Sequence, residues 1–121
     1  MSLDLTAIRA AHERIRPHIH RTPVLTSARL DAASGASLFF KCENFQKVGA
    51  FKARGATNAV FLLDDATARC GVATHSSGNH AAALARAAKL RSIPAHIRHA
   101  VELVEGEGVR GRRLWWSDRV L

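Results

Sequence analysis

"CGVATHSSGNHAAALARAAKLRSIPAHI", residues 70–97, is the stretch that decides the fold. It reads in three parts. Residues 70–77 begin as a short, buried, apolar strand. Residues 78–90, "GNHAAALARAAKL", are rich in alanine and leucine, which favour helix strongly. "SIPAHI", residues 92–97, starts a second strand. Strand, helix, strand is the βαβ pattern, in which the two strands lie parallel in one sheet. The expected fold class is therefore α/β, a parallel sheet with flanking helices.

Upstream of this unit, Phe51 or Lys52 through Leu63 is a helical run with Ala56, Val60, Leu62 and Leu63 apolar. "NFQKVG", 44–49, reads as loop, and "SLFFKCE", 37–43, as a strand. Ser27 is placed to cap a short helix through Leu30 to Ala33, which Gly35 ends. "HRTPVLTSARL", 20–30, opens extended around Pro23. Asp4–Ile15 is a helix by the three- and four-residue spacing of Leu5, Ile8, Ala11 and Ile15, and Pro17 stops it.

Downstream of Ile97 the pattern weakens. Val101, Leu103 and Val104 would begin a helix that Gly106, Gly108 and Gly111 interrupt. Trp115 and Trp116 are adjacent, so one of them is expected to face solvent or a partner. No element that would cover the sheet is read there, and an unfinished domain is expected.

The chain has 121 residues, nearly half of them hydrophobic, enough for one modest core. Its net charge is +8. The basic residues are scattered, Tyr is absent, and no basic stripe is interleaved with stacking rings, which argues against a nucleic-acid binder. An anionic small molecule suits the same charge. Cys42 and Cys70 form no CxxC pair and are read as two buried free thiols of a reducing compartment. No signal peptide and no apolar run of membrane-spanning length is read, so the expected location is the cytoplasm, without a membrane partner.

Two stretches bear chemistry. In "KVGAFKARGA", 47–56, Lys52 stands among small residues and one aromatic ring. Apolar neighbours such as Ala50 and Phe51, and a cation such as Arg54, would help a lysine shed its proton and attack a carbonyl. A solvated lysine at a helix start fits the same residues. "SSGNH", 76–80, lies where a strand hands over to a helix. The unpaired N–H groups and the helix dipole there make an anion site, at the sheet edge where open α/β folds hold ligands. Plain capping by Ser and Asn fits equally. His18, His20, His75 and His80 show no convergent metal-ligand spacing, and no metal is expected.

Taken together, "FFKCENFQKVGAFKARGATNA" and "THSSGNHAAALARAAKLRSIPAHI" resemble the serine/threonine dehydratase and serine racemase family. These are pyridoxal-phosphate enzymes of fold type II, the tryptophan-synthase β-like fold. "IRPHIHRTPVLTSARLD" resembles the family's N-terminal segment, and the likeness runs from about Ile8 to Ile97. The resemblance implies roles. Lys52 would form the Schiff base with the cofactor aldehyde and later move the substrate α-proton. Phe51 and Ala50 would line the cofactor. Asn79 would bond its ring hydroxyl. Ser76, Asn79 and His80 would hold the substrate carboxylate. Ser77 matches the serine that acts as acid/base on the opposite face in racemase-like members. The implied reaction is loss of the β-hydroxyl from a small amino acid such as serine, threonine or hydroxyaspartate, with release of ammonia and a keto acid.

The resemblance also implies a domain plan: residues 1–45 from the larger domain and 46–121 an incomplete small α/β domain, in a family whose full-length members are homo-oligomers. The family's glycine-rich loop for the cofactor phosphate, and its Ser or Cys facing the pyridine nitrogen, are not found in this sequence. Arg98 and His99 follow the "IPAHI" strand where the family has an apolar residue and a proline-containing loop, and "GVRGRRLWWSDRVL" echoes a later segment out of step. A truncated or frame-disturbed chain with weak cofactor affinity is therefore expected. The alternative from another class is a non-catalytic fragment or interaction module.

Overall fold

The computed structural model describes residues 4–102 and 114–120, the backbone alone for 99–102 and 114–120. The chain opens with α1, Leu5–Ile15, started by the Asp4 carboxylate, which accepts a hydrogen bond from the Ala7 N–H at 2.7 Å. Pro17 follows in a single 3₁₀ turn, Arg16–His18. In α1 only Ile15 is buried, while Leu5 and Ile8 stay exposed. The apolar spacing thus forms the helix without burying its first half.

Next come β1 (Val24–Leu25), α2 (Ala28–Ser34) and β2 (Phe40–Lys41). Ser27 caps α2, and Gly35 ends it at φ 69°, a left-handed conformation that glycine adopts without a Cβ penalty. The strand expected over 37–43 is shorter and more exposed than its composition suggests. Only Phe40 and Lys41 pair, antiparallel with Leu25 and Val24, and Phe39 is 72% exposed. The loop expected over 44–49 is wound into two 3₁₀ turns, Glu43–Phe45 and Lys47–Gly49.

The core lies between α3, Lys52–Leu62, and α5, Asn79–Leu90. Between them α4, Asp65–Arg69, and β3, Val72–His75, complete the path. α4 went unread in the sequence, although Asp64 caps it through the Thr67 N–H at 2.8 Å. Ala56 and Val60 of α3 pack on Ala83, Leu84 and Ala87 of α5, with Phe61, Val72 and Ile93 against them. Small side chains let the two backbones approach closely. The seam therefore gains its stability from close packing rather than from bulky apolar groups.

The parallel pairing expected from the βαβ reading is present. β3 pairs in parallel with β4, Ala95–Glu102, in the register Val72–Ala95 to His75–Arg98. Ala95 and Ile97 of β4 are buried while His96 and Arg98 are exposed, the period of two that covers one face. β5, Leu114–Val120, then pairs antiparallel with β4 to give the sheet order β3-β4-β5. The tail therefore departs from the expected helix: Val101 belongs to β4, and a further strand is present. Leu103 and Val104 lie outside the described residues, as do the side chains of Trp115 and Trp116 on which an exposure was expected. The two cysteines are unpaired, but not buried: Cys42 is half-buried and Cys70 exposed.

Candidate active site

The turn Lys47–Gly49 leads into Lys52 with two consecutive left-handed residues, Val48 at φ 57° and Gly49 at φ 67°. It sends Ala50 into the core and brings the chain out at Phe51, where α3 begins. Lys52 is the first residue of α3 and is exposed. Its Nζ lies 5.1 Å from the centroid of the Phe51 ring, within cation–π range. Ala50 is buried, so the apolar surface offered beside the lysine comes from Phe51, which is 60% exposed.

Arg54 does not serve Lys52 as the sequence suggested. Its guanidinium forks onto Glu43, with Nε donating to Oε2 and Nη2 to Oε1, both at 2.8 Å. Glu43 also accepts from the Thr22 hydroxyl at 2.6 Å. Chiefly through the Arg54 hydrogen bonds, the Glu43 carboxyl is held down to about 2, and the same pairing raises Arg54. The Arg54 charge is thus neutralised beside the N-terminal segment.

The second half of the site is built by the end of β3. The Ser76 N–H donates to the Arg98 carbonyl at 3.1 Å, carrying the parallel ladder one residue past the strand. The Ser76 Oγ then accepts from the Gly78 N–H at 3.3 Å, which closes the turn. α5 begins at once, with Gly78 as its N-cap, no side-chain cap hydrogen bond and no acidic residue in the first turn. The capping alternative for Ser and Asn is therefore not what the chain adopts. Ser77, Asn79 and His80 are exposed and Ser76 is half-buried. A Cβ built on Gly78 would meet nothing within 4 Å, so the space over this turn is open.

Arg91, just past α5, donates from Nη1 to the Val60 carbonyl near the end of α3 at 2.5 Å. Its Nη2 pairs with Asp65, at the start of α4, at 3.0 Å. Arg91 thus ties the end of α5 to the end of α3 and the start of α4. Lys52 and Asn79 are the first residues of α3 and α5. Two clefts of about 690 and 880 Å³ are lined by neither Lys52 nor the 76–80 turn. The lysine and the turn stand on open surface.

Sequence reading missed the polar residues behind Lys52. Gln46 is 3% exposed and Thr22 4%. The Gln46 amide is bonded to the His20 backbone in both directions, each at 2.8 Å. Nothing periodic marks them, and a Glu followed three residues later by a Gln in a loop is a signal visible only in hindsight.

Known proteins resemble this chain over most of its length. Residues 15–102 match the family model described as pyridoxal-phosphate dependent enzyme. A serine racemase of Oryza sativa subsp. japonica is 56% identical over 119 residues, covering 95% of this chain and 35% of its own. A β-hydroxyaspartate dehydratase of Paracoccus denitrificans is 69% identical over 88 residues, covering 73% of this chain and 28% of its own. The solved structure of maize serine racemase superposes with a TM-score of 0.78 at 60% identity, over 83% of this chain and 31% of that one. The chain thus spans about a third of the length of the relatives it matches. The resemblance read from the two motifs is borne out, as are the α/β fold of type II and the cofactor of the family. By its matched residues and its fold, the chain belongs to the family of pyridoxal-phosphate dependent enzymes.

Proposed function

We propose that this chain carries the lysine-bearing part of the active site of an enzyme that acts on a small β-hydroxy amino acid, as a dehydratase that releases ammonia, with a racemase-like site. The observation that carries the reading is the exposed Lys52 at the start of α3 beside the Phe51 ring, together with a start of α5 at Gly78 that has no side-chain cap and open space over it. The named racemase and dehydratase relatives support the substrate class.

The residues present fit pyridoxal phosphate. Lys52 is an accessible amine, Phe51 offers a flat apolar face beside it, and the space over Gly78 is open where a planar ring would approach. When bound, the cofactor supplies an electron sink for charge developed at the substrate α-carbon. Lys52 would hold the cofactor through its amine and move the α-proton. Asn79 would hydrogen-bond the ring hydroxyl. Ser76, Asn79 and His80 bind the substrate carboxylate, helped by the unpaired N–H groups of the first turn of α5. Ser77 moves a proton on the face opposite Lys52. Residues 1–45 are assigned to the larger domain and 46–121 to the smaller. The unpaired thiols suit a reducing compartment, the cytoplasm.

The test is reductive trapping. The chain is incubated with pyridoxal phosphate, reduced with borohydride, digested and mapped by mass spectrometry. The expected result is an adduct mainly on Lys52 that Lys52→Ala abolishes, followed by turnover of serine, threonine or hydroxyaspartate. Label spread evenly over the lysines would overturn the reading. A second reading, a non-catalytic interaction module, is favoured by Phe39, Phe45 and Phe51, each more than half exposed. It predicts concentration-dependent association without selective labelling of Lys52.

A further inference from the structure

We propose that Gln46 is a positioning residue for Lys52; the inference rests on the role given to Lys52 above. Gln46 is buried, and its side-chain amide is committed at both ends. Oε1 accepts from the His20 N–H at 2.8 Å and from the Lys47 N–H at 2.9 Å. Nε2 donates to the His20 carbonyl at 2.8 Å. The orientation of the amide follows from its partners, because the two N–H groups only donate and the carbonyl only accepts.

These bonds act on the turn that delivers Lys52. Val48 is β-branched and sits at φ 57°, a conformation held only where the surroundings enforce it. The Gln46 side chain caps this turn at the Lys47 N–H, and the Gln46 backbone carbonyl accepts from the Gly49 N–H at 2.9 Å. On the far side of Lys52, Arg54 Nη2 reaches the same His20 carbonyl at 3.3 Å. The segment bearing Lys52 is thus tied, before and after the lysine, to one peptide group of the N-terminal segment. Without the Gln46 amide, the His20 and Lys47 N–H groups lose their partner, the turn relaxes and Lys52 shifts with the first turn of α3. Displacements on the order of 1 Å matter for a reacting group.

The experiment compares the full chain with Gln46→Ala and Gln46→Glu at pH 5 and pH 8. Two quantities are read. One is the share of trapped pyridoxal-phosphate adduct on Lys52 among Lys41, Lys47, Lys52 and Lys89. The other is hydrogen exchange at the Lys47 and Gly49 amides, corrected for intrinsic rates. A protonated carboxyl at position 46 can donate to the His20 carbonyl as the amide does, and an ionised one cannot; burial disfavours the ionised form. The His20 ring, Glu43, Arg54 and Lys47 also face or adjoin this site and are common to all variants, so values are taken relative to the unsubstituted chain.

The expected result is a drop of about threefold or more in the Lys52 share for Gln46→Ala at both pH values. For Gln46→Glu the same drop is expected at pH 8 and recovery at pH 5, with amide exchange following. If Gln46→Ala does not fold, the pH reversal in Gln46→Glu decides. An unchanged Lys52 share and unchanged exchange in folded variants overturn the inference while leaving the assignment of Lys52 intact. If the unsubstituted chain does not label at Lys52, that assignment fails. Amide exchange then decides the inference alone: faster exchange in the variants keeps it, unchanged exchange overturns it.

Discussion

Replacing Glu43 by Gln tests how the N-terminal segment is held to α3. Glu43 is the acceptor on which Arg54 and Thr22 converge. Holding a carboxyl at about 2 rather than 4.5 corresponds to roughly 3.5 kcal/mol, at about 1.4 kcal/mol per pH unit. The Arg54 and Glu43 side chains keep 28% and 19% of their surface exposed, and screening by water reduces the figure to about 1–2 kcal/mol. For a chain of 121 residues this is a fall in Tm of roughly 4–10 °C at pH 7. The pH dependence has a definite sign. The folded carboxyl titrates below the unfolded one, so the stabilisation is complete above about 4.5 and fades as pH falls toward about 2. Thermal melts of both proteins from pH 6 to pH 2 measure it. Their Tm values should converge as the pH drops through that window. The Asp64 carboxyl is also held low, by its hydrogen bonds to Thr67, but it is present in both proteins and cancels. Parallel curves, or equal stability at pH 7, would refute the reasoning.

Three further substitutions separate folding from function. Gly71 has φ 80°, and a Cβ there would lie 2.8 Å from the Pro94 carbonyl oxygen. Gly71→Ala should therefore cost about 2–4 kcal/mol in urea unfolding, by combining left-handed strain with a backbone clash. Ala87 is fully buried in the seam between α3 and α5, so Ala87→Leu should cost about 1–3 kcal/mol by overpacking, read in the same assay. Gly78 has negative φ and open space around it, so Gly78→Ala should leave stability within about 0.5 kcal/mol. The same methyl narrows the approach to α5, and the yield of the Lys52 adduct should fall by mass spectrometry.

The parts of the fold that sequence revealed are those with a period or a punctuating residue. The alanine-rich run after Gly78 made α5, the apolar strand starts made β3 and β4, and Ser27 and Gly35 bounded α2 as read. The misread parts lack such marks. "SLFFKCE" has the composition of a core strand, yet backbone pairing ends after two residues and Phe39 points to solvent, because composition does not encode which face is covered. The five-residue α4 is too short for a hydrophobic period and rests on one cap. β5 was hidden by the glycines ahead of it, since a strand that pairs at an edge needs a partner that sequence alone does not name. In the site, Lys52 and Ser76–His80 were legible as two separate motifs. That Arg54 answers Glu43 rather than Lys52 was not, because their pairing depends on a fold in which an 11-residue separation closes to 2.8 Å.

The two sides of α3 divide the work of holding Lys52. Toward α5 the contacts are Ala56, Val60, Ala83, Leu84 and Ala87, apolar and small. Such a seam is non-directional: it fixes the distance between helices more firmly than their register along the axis. Toward the N-terminal segment the contacts are hydrogen bonds from Gln46 and Arg54 to His20, from Arg54 to Glu43, and from Arg14 to Asn58 at 2.6 Å. These are directional, and buried polar groups are costly to leave unpaired, so they admit one arrangement. The apolar side therefore sets the spacing of the helices, while the polar side adds stability through the Glu43–Arg54 pair and fixes the segment that leads into Lys52. The seam variant Ala87→Leu and the clamp variant Gln46→Glu should accordingly differ in kind: the first lowers stability more than it redistributes label among lysines, and the second does the reverse. That division accounts for a buried glutamine and a buried threonine in the segments that hold the start of α3.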